Sequence, residues 1–250
     1  MKNGIYIILV LLFWSCSPDA VVDCFTRSGN TEIRLYEVEA FDQITIRQNI
    51  ELHITHSDAV SLSIEAGNNL INNIDLNVEN GHLDISAKDL CPSGRKNPAF
   101  IVHLSTPNLT EIRNASQFKV VSKNTLNFEN LRIISENSND GSALAVGDFE
   151  LDVQLEKLNI IHSGLSDFSI SGNTNELSIG VYSGSGRIFA EHLIANKIQI
   201  YLRGFGNVHV FPVEEIKGEL RSTGNLILYN QPPIQQIETF FTGEVIFNTE

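Results

Sequence analysis

Apolar and polar residues alternate over most of the chain, and in the second half the alternation recurs at a nearly constant spacing. Leu177, Ile179 and Val181 are followed 21 positions on by Ile198, Ile200 and Leu202. Each trio runs into a small-residue turn, Ser183-Gly184-Ser185-Gly186 or Gly204-Phe205-Gly206. After the turns, Phe168/Ile170, Ile188/Ala190, Val208/Val210 and Leu226/Leu228 line up at steps of 20, 20 and 18, with Phe118/Val120 and Leu144/Val146 as fainter copies. Residues i and i+2 of a strand share a face, so every copy predicts short, half-buried strands. Glycine, serine and asparagine suit the turns between them, and Asn114, Asn137, Asn139, Asn173, Asn175 and Asn207 read as corner chemistry. A period near 20 with two strands per unit predicts a right-handed parallel β-helix-like solenoid, its coils spanning residues 101–250. An antiparallel sandwich also gives regularly spaced short strands, but the same columns recurring in register favour the solenoid. After Pro232-Pro233, the stretch from Thr239 to Phe247 is expected to close a stack whose ends need cover.

Residues 33–100 hold strands without that register: Ile33 to Val38, Ile44 to Ile46, Ile50 to Ile54, Val60 to Ile64, Ile74 to Val78 and Leu83 to Ile85. Asn80-Gly81 marks a hairpin, and Gly67 to Asn72 a loop or single helical turn. This section is expected to be irregular or antiparallel and to cover the start of the coils. Together, residues 33–250 are expected to form a single all-β domain.

The chain opens with Met1 and Lys2, an apolar run from Ile5 to Trp14, then Ser15 and Cys16. That is the layout of a bacterial secretory leader, and its run is shorter than the ~20 apolar residues a bilayer span needs. Residues 1–15 are therefore read as a lipoprotein signal peptide, Cys16 as the lipidation site and residues 16–32 as a tether; a different cleavage point is the alternative. Removing Cys16 leaves Cys24 and Cys91, an even pair in an exported protein and so a candidate disulfide. Closing that loop would add roughly 4 kcal/mol. Two separate thiols are the other reading.

Thirty acidic against 17 basic residues give a net charge of −13, which repels phosphate backbones and excludes nucleic acid as a partner. Membrane contact is expected through the lipid anchor alone. Asp148, Glu150 and Asp152 alternate along one strand and form the best cluster for calcium or acid catalysis, although a solvated stripe accounts for them as well. His53 and His56 fall on opposite faces, which excludes a shared zinc, and His162 falls in an inward column. Ser163-Gly164-Leu165-Ser166 lacks the form of a nucleophile elbow. No catalytic residue, metal or cofactor is expected. Among the exposed aromatics, Phe189 and Tyr201 should point outward, between Ile188 and Ala190 and between Ile200 and Leu202, and form the candidate binding patch for a glycan or protein ligand.

Several stretches carry a family likeness: Phe41-Asp42-Gln43-Ile44, the run from Ile64 through Gly67-Asn68-Asn69 to Ile71, Asn80-Gly81-His82-Leu83-Asp84-Ile85, Pro107-Asn108-Leu109-Thr110-Glu111-Ile112, and Ser183-Gly184-Ser185-Gly186. In that order they resemble the GIN-domain family, the adhesin head domains common among exported bacterial lipoproteins. The resemblance implies a β-helix-like fold and a non-enzymatic, lipid-anchored envelope protein acting in adhesion or as an interaction scaffold. It also implies pairing of an early cysteine with one near Cys91. A carbohydrate-active enzyme on a β-helix and a periplasmic sensor or partner protein are the alternatives. Outer-membrane anchoring is expected from Ser17 after Cys16, with the cell-surface and periplasmic sides both open.

Overall fold

The computed structural model describes residues 28–87, 100–136 and 145–248. Cys16, Cys24, Cys91 and Leu144 lie outside the described residues. Among the described residues every regular element is a strand except one 3-10 turn, Ile71–Asn73, and the strands join into one curled, mixed sheet.

The body is a stack of long parallel strands. β10 (Leu126–Glu136), β11 (Phe149–Gly164), β12 (Phe168–Gly184), β13 (Ile188–Leu202) and β14 (Val208–Leu220) pair in chain order. β14 then pairs with β15 (Leu226–Leu228) and β16 (Ile234–Thr239), and β15 pairs with β17 (Val245–Phe247). The ladders place Ile160, Ile179 and Ile200 in one buried column, as the 21-residue recurrence of 179 and 200 predicts. A second column runs Phe149, Phe168, Ile188, Val208, Leu226 and Val245. Here the assignment of Phe118 and Val146 is corrected. Val120 pairs with Phe149, whereas Phe118 is half-buried and Val146 is exposed. The chain between Val120 and Phe149 is longer than one repeat, so a constant step of 20 lands on the wrong residues. The true occupants stack, the Phe149 and Phe168 rings lying 4.8 Å apart and nearly parallel.

The corners explain the small and polar residues. Gly184 has φ +91°, and a Cβ there would sit 1.9 Å from the Gly164 carbonyl oxygen of the preceding repeat, so only glycine lets the backbones approach. Just before β11, β12, β14 and β15, an Asp or Asn side chain accepts the backbone N–H of the residue one repeat on. Asp148 accepts from Asp167, Asp167 from Arg187, Asn207 from Asn225 and Asn225 from Glu244, at 2.8–3.1 Å. This ladder satisfies donors that the corner would otherwise leave unpaired.

The amino-terminal section is more integrated than an irregular cover. β2 (Gln43–Ile46) and β3 (Ile50–His56) run parallel to β8 (Glu111–Asn114) and β9 (Val120–Ser122), which carry the stack on to β10 and β11. Their other edges pair in parallel with β6 (His82–Ala87) and β7 (Phe100–Thr106). The antiparallel expectation holds only farther out, where β4 (Ser61–Gly67) lies between β7 and β1 (Thr31–Tyr36) and β5 (Ile74–Glu79) forms a hairpin with β6. Asn80 and Gly81, at φ 52° and 78°, make that hairpin turn. One apolar core runs through both sections, from Ile44 to Leu228.

Candidate functional site

Along β11 the inward–outward alternation slips once, because Glu156 and Lys157 both face out before Leu158 returns to the core. Asn175/Glu176 and Asn196/Lys197 repeat the slip on β12 and β13. At this bend the side chains form a ladder, with Asn175 donating to Glu156 at 2.8 Å and Asn196 donating to Asn175 at 2.9 Å. The bend creates a groove of about 400 Å³ that runs across successive repeats. One wall is the column Asn130, Lys157, Glu176, Lys197 and Glu215; the other is Arg132, Asn159, Ser178 and Gln199. Leu131, Leu158, Leu177 and Ile198 lie between the walls as its floor.

Most charges of the groove walls have an ion-pair partner. Lys157 and Glu176 lie 2.9 Å apart, and Glu215 reaches Lys217 at 2.8 Å. The Glu176 hydrogen bond raises the Lys157 pKa above its ordinary value. Arg132 at the rim is held by Glu111. Asn159, Ser178 and Gln199 then present neutral donors and acceptors at successive strand spacings of ~4.8 Å. The groove residues were not singled out from the sequence. Their one legible signal is the doubled polar position at 156–157, 175–176 and 196–197, which a search for strict alternation passes over.

The structure separates the two predicted patch residues. Tyr201 packs against Tyr182 at 5.5 Å and sits one residue beyond Ile200 from Gln199, close to the groove. Phe189 belongs to another aromatic row, with His209 at 5.3 Å, Tyr229 beyond it and the Arg187 guanidinium 5.1 Å from the Phe189 ring centre.

The three alternating acids are individually engaged. Glu150 pairs with Lys119 at 2.9 Å, Asp152 accepts from Thr125 and Ser171, and Asp148 accepts the Asp167 N–H. His53 meets His103 edge-on at 5.1 Å and Glu51 at 2.7 Å, while His56 packs on Phe128. Among the described residues, no group of three or more His, Cys, Asp or Glu is arranged to hold a metal.

His162 lies in its inward column opposite Val181 and is fully buried beside Phe168, with no partner in good hydrogen-bonding geometry for either ring nitrogen. The backbone of Ser135 and Gly164 lies close enough to favour its protonated form slightly, but burial dominates and lowers its pKa. Beside it, Ser135 and Ser166 hydrogen-bond at 2.6 Å in the same polar pocket of the core.

Stacked parallel strands, a corner ladder and a shallow groove with polar walls and an apolar floor define a repeat-built β protein. The chain belongs to the family described as "Putative auto-transporter adhesin, head GIN domain", whose model matches residues 40–232. Solved structures share the fold. An adhesin candidate of Bacteroides fragilis is 22% identical over 88% of this chain and 98% of its own, with a TM-score of 0.76. A Parabacteroides distasonis protein described as a "putative lipid binding protein" is 19% identical over the same shares, at 0.62. An adhesin candidate of Parabacteroides merdae is 18% identical, also over 88% and 98%, at 0.56. No curated protein matches the chain. Among the described residues, no helix is long and apolar enough to cross a membrane.

Proposed function

We propose that the protein is a non-enzymatic, lipid-anchored binding module of the cell envelope whose side groove takes a glycan chain. The groove carries this reading. Lys157 is paired with Glu176 and Glu215 with Lys217, and the row Asn159, Ser178 and Gln199 offers amide and hydroxyl groups to sugar hydroxyls, with Tyr201 beside it for stacking. Acids engaged singly, rather than as a facing pair, argue against the carbohydrate-active enzyme. In this reading, residues 1–15 are the signal, Cys16 carries the lipid at the outer membrane, residues 16–32 are the tether, Cys24 and Cys91 are bridged, and residues 33–250 form one domain. The coils of residues 101–250 wind right-handed, the hand that parallel crossovers take almost without exception.

The test is a glycan array probed with the exported chain carrying Cys16→Ala, in parallel with an Asn159→Ala/Gln199→Ala variant. Selective binding that the double variant loses, with unchanged melting, supports the reading; no binding, or binding indifferent to the variant, refutes it. Protease access on intact cells, with wild type against Cys16→Ala, tests the anchoring and the surface-displayed side.

A further inference from the structure

The two ends of the stack are finished differently. At one end β1, β4 and the β5–β6 hairpin add antiparallel strands over the core. At the other, β16 and β17 pair on one side only among the described residues, through β14 and β15. Their outer edges leave backbone donors and acceptors unpaired, and Ile237 and Val245 continue the core columns without full cover. Around them stand Ile234, Phe240, Phe241, Ile246 and Phe247, exposed by 44, 51, 65, 40 and 47%. At ~200 Å² for a whole aromatic side chain, the three phenylalanines alone leave roughly 300 Å² in water. Exposed apolar area of that size beside an open strand edge marks the end as a contact surface.

We propose that this end is a homodimer interface, in which β16 pairs antiparallel with β16 of a second copy about a two-fold axis through Ile237. The pattern of β16 is self-complementary about that residue. The ladder to β14 sets Gln235, Ile237 and Thr239 inward, opposite Ile216, Gly218 and Leu220, and Ile234, Gln236 and Glu238 outward. A two-fold axis perpendicular to the sheet keeps inward residues inward, so the axis must pass through a residue rather than between two. Centred on Ile237, it sets that residue against its own copy and extends the core column into the partner. Gln235 then faces the partner's Thr239, and Gln236 faces the partner's Glu238, a hydrogen-bonding pair. Ile234 meets the partner's Phe240. No like charges stand opposite each other. Centred on Gln236 instead, the pairing would set Ile234 against the partner's Glu238 and Gln235 against the partner's Ile237, mismatched in both cases.

The register makes a two-way test. Gln236 is exposed and lies outside the core, so its substitution leaves the protomer intact. In the exported chain with Cys16→Ala, which removes lipid-driven association, sedimentation equilibrium is expected to show a monomer–dimer equilibrium. Gln236→Glu sets two carboxylate pairs against each other across the axis and weakens the dimer roughly tenfold, while Gln236→Lys gains two ion pairs with Glu238 and tightens it. A chain that stays monomeric at about 100 μM, an open-ended polymer, or a dimer that neither substitution shifts would overturn the proposal.

Discussion

Replacing Phe168 by alanine probes the register of the core directly. The Phe168 side chain is fully buried between successive repeats, stacked on Phe149 at 4.8 Å and touched edge-on by His162 at 5.3 Å. Truncating a buried phenylalanine costs about 3–5 kcal/mol, and losing the ring pair puts this site in the upper half of that range. For a body of this size each kcal/mol shifts the melting temperature by about 2–4 °C, so Phe168→Ala should melt roughly 10–15 °C below wild type. The control is Phe118→Ala. A uniform 20-residue step would make Phe118 an equal member of the column, but the structure leaves it half-buried beside Val120, and its loss should cost less than about 1 kcal/mol. Thermal melts followed by circular dichroism, with urea titration to check for a single transition, measure both. Comparable losses from the two variants, or a Phe168→Ala loss below about 1 kcal/mol, would refute the register.

Three further outcomes follow from the corners and the core. Gly184→Ala should cost at least about 2 kcal/mol, because the new Cβ meets the Gly164 carbonyl, whereas Gly81→Ala, at similar φ but with only an ordinary contact to Asp42 at 3.6 Å, should cost only about 1 kcal/mol; urea unfolding separates them. Burial lowers the His162 pKa, so the unfolded chain binds its proton more readily, and stability falls as pH drops below about 6.5. His162→Val, matching Val181 in the same column, should reduce that limb of a melting-temperature–pH profile, leaving the parts of His53 and His209, which burial shifts the same way. Burial raises the Asp167 pKa, but its hydrogen bonds to the Arg187 side chain and backbone outweigh that and hold it below the usual carboxylate value. Its stabilisation is therefore present above about pH 4 and lost below. Asp167→Ala should cost about 1–2 kcal/mol at pH 7 by denaturant titration, and Asp167→Asn less, since the amide oxygen still accepts the Arg187 N–H.

The repeat was readable where the stack is regular. From Phe168 to Leu228 each turn of chain has nearly the same length, so period-2 alternation and a step of 18–21 suffice to place the inward residues. The same arithmetic fails where the chain leaves the stack and returns. Gln43 lies beside Glu111 and Leu52 beside Val120 because β4 to β7 are built between them, an excursion that erases the spacing although the local strands and the Asn80-Gly81 turn remain plain. The groove was hidden for another reason. Its walls are ordinary surface residues, and only the bend that doubles the outward positions at Glu156 and Lys157 distinguishes them. Phe189 and Tyr201 alternate with buried neighbours on β13, but outwardness on a curled sheet does not say which side, and they stand on different stretches of the strand.

The edge position of β1 has a mechanical consequence. Tension applied ahead of Ser28 enters the fold at β1, which among the described residues is paired to β4 alone, through Thr31–Gly67 to Tyr36–Leu62, with Ile33 and Leu35 largely in water. A pull along the stack axis acts along those backbone bonds rather than across them, so they open one pair at a time from the Thr31 end. β1 would peel away as a short extensible leash before the load reached the fully buried columns beneath.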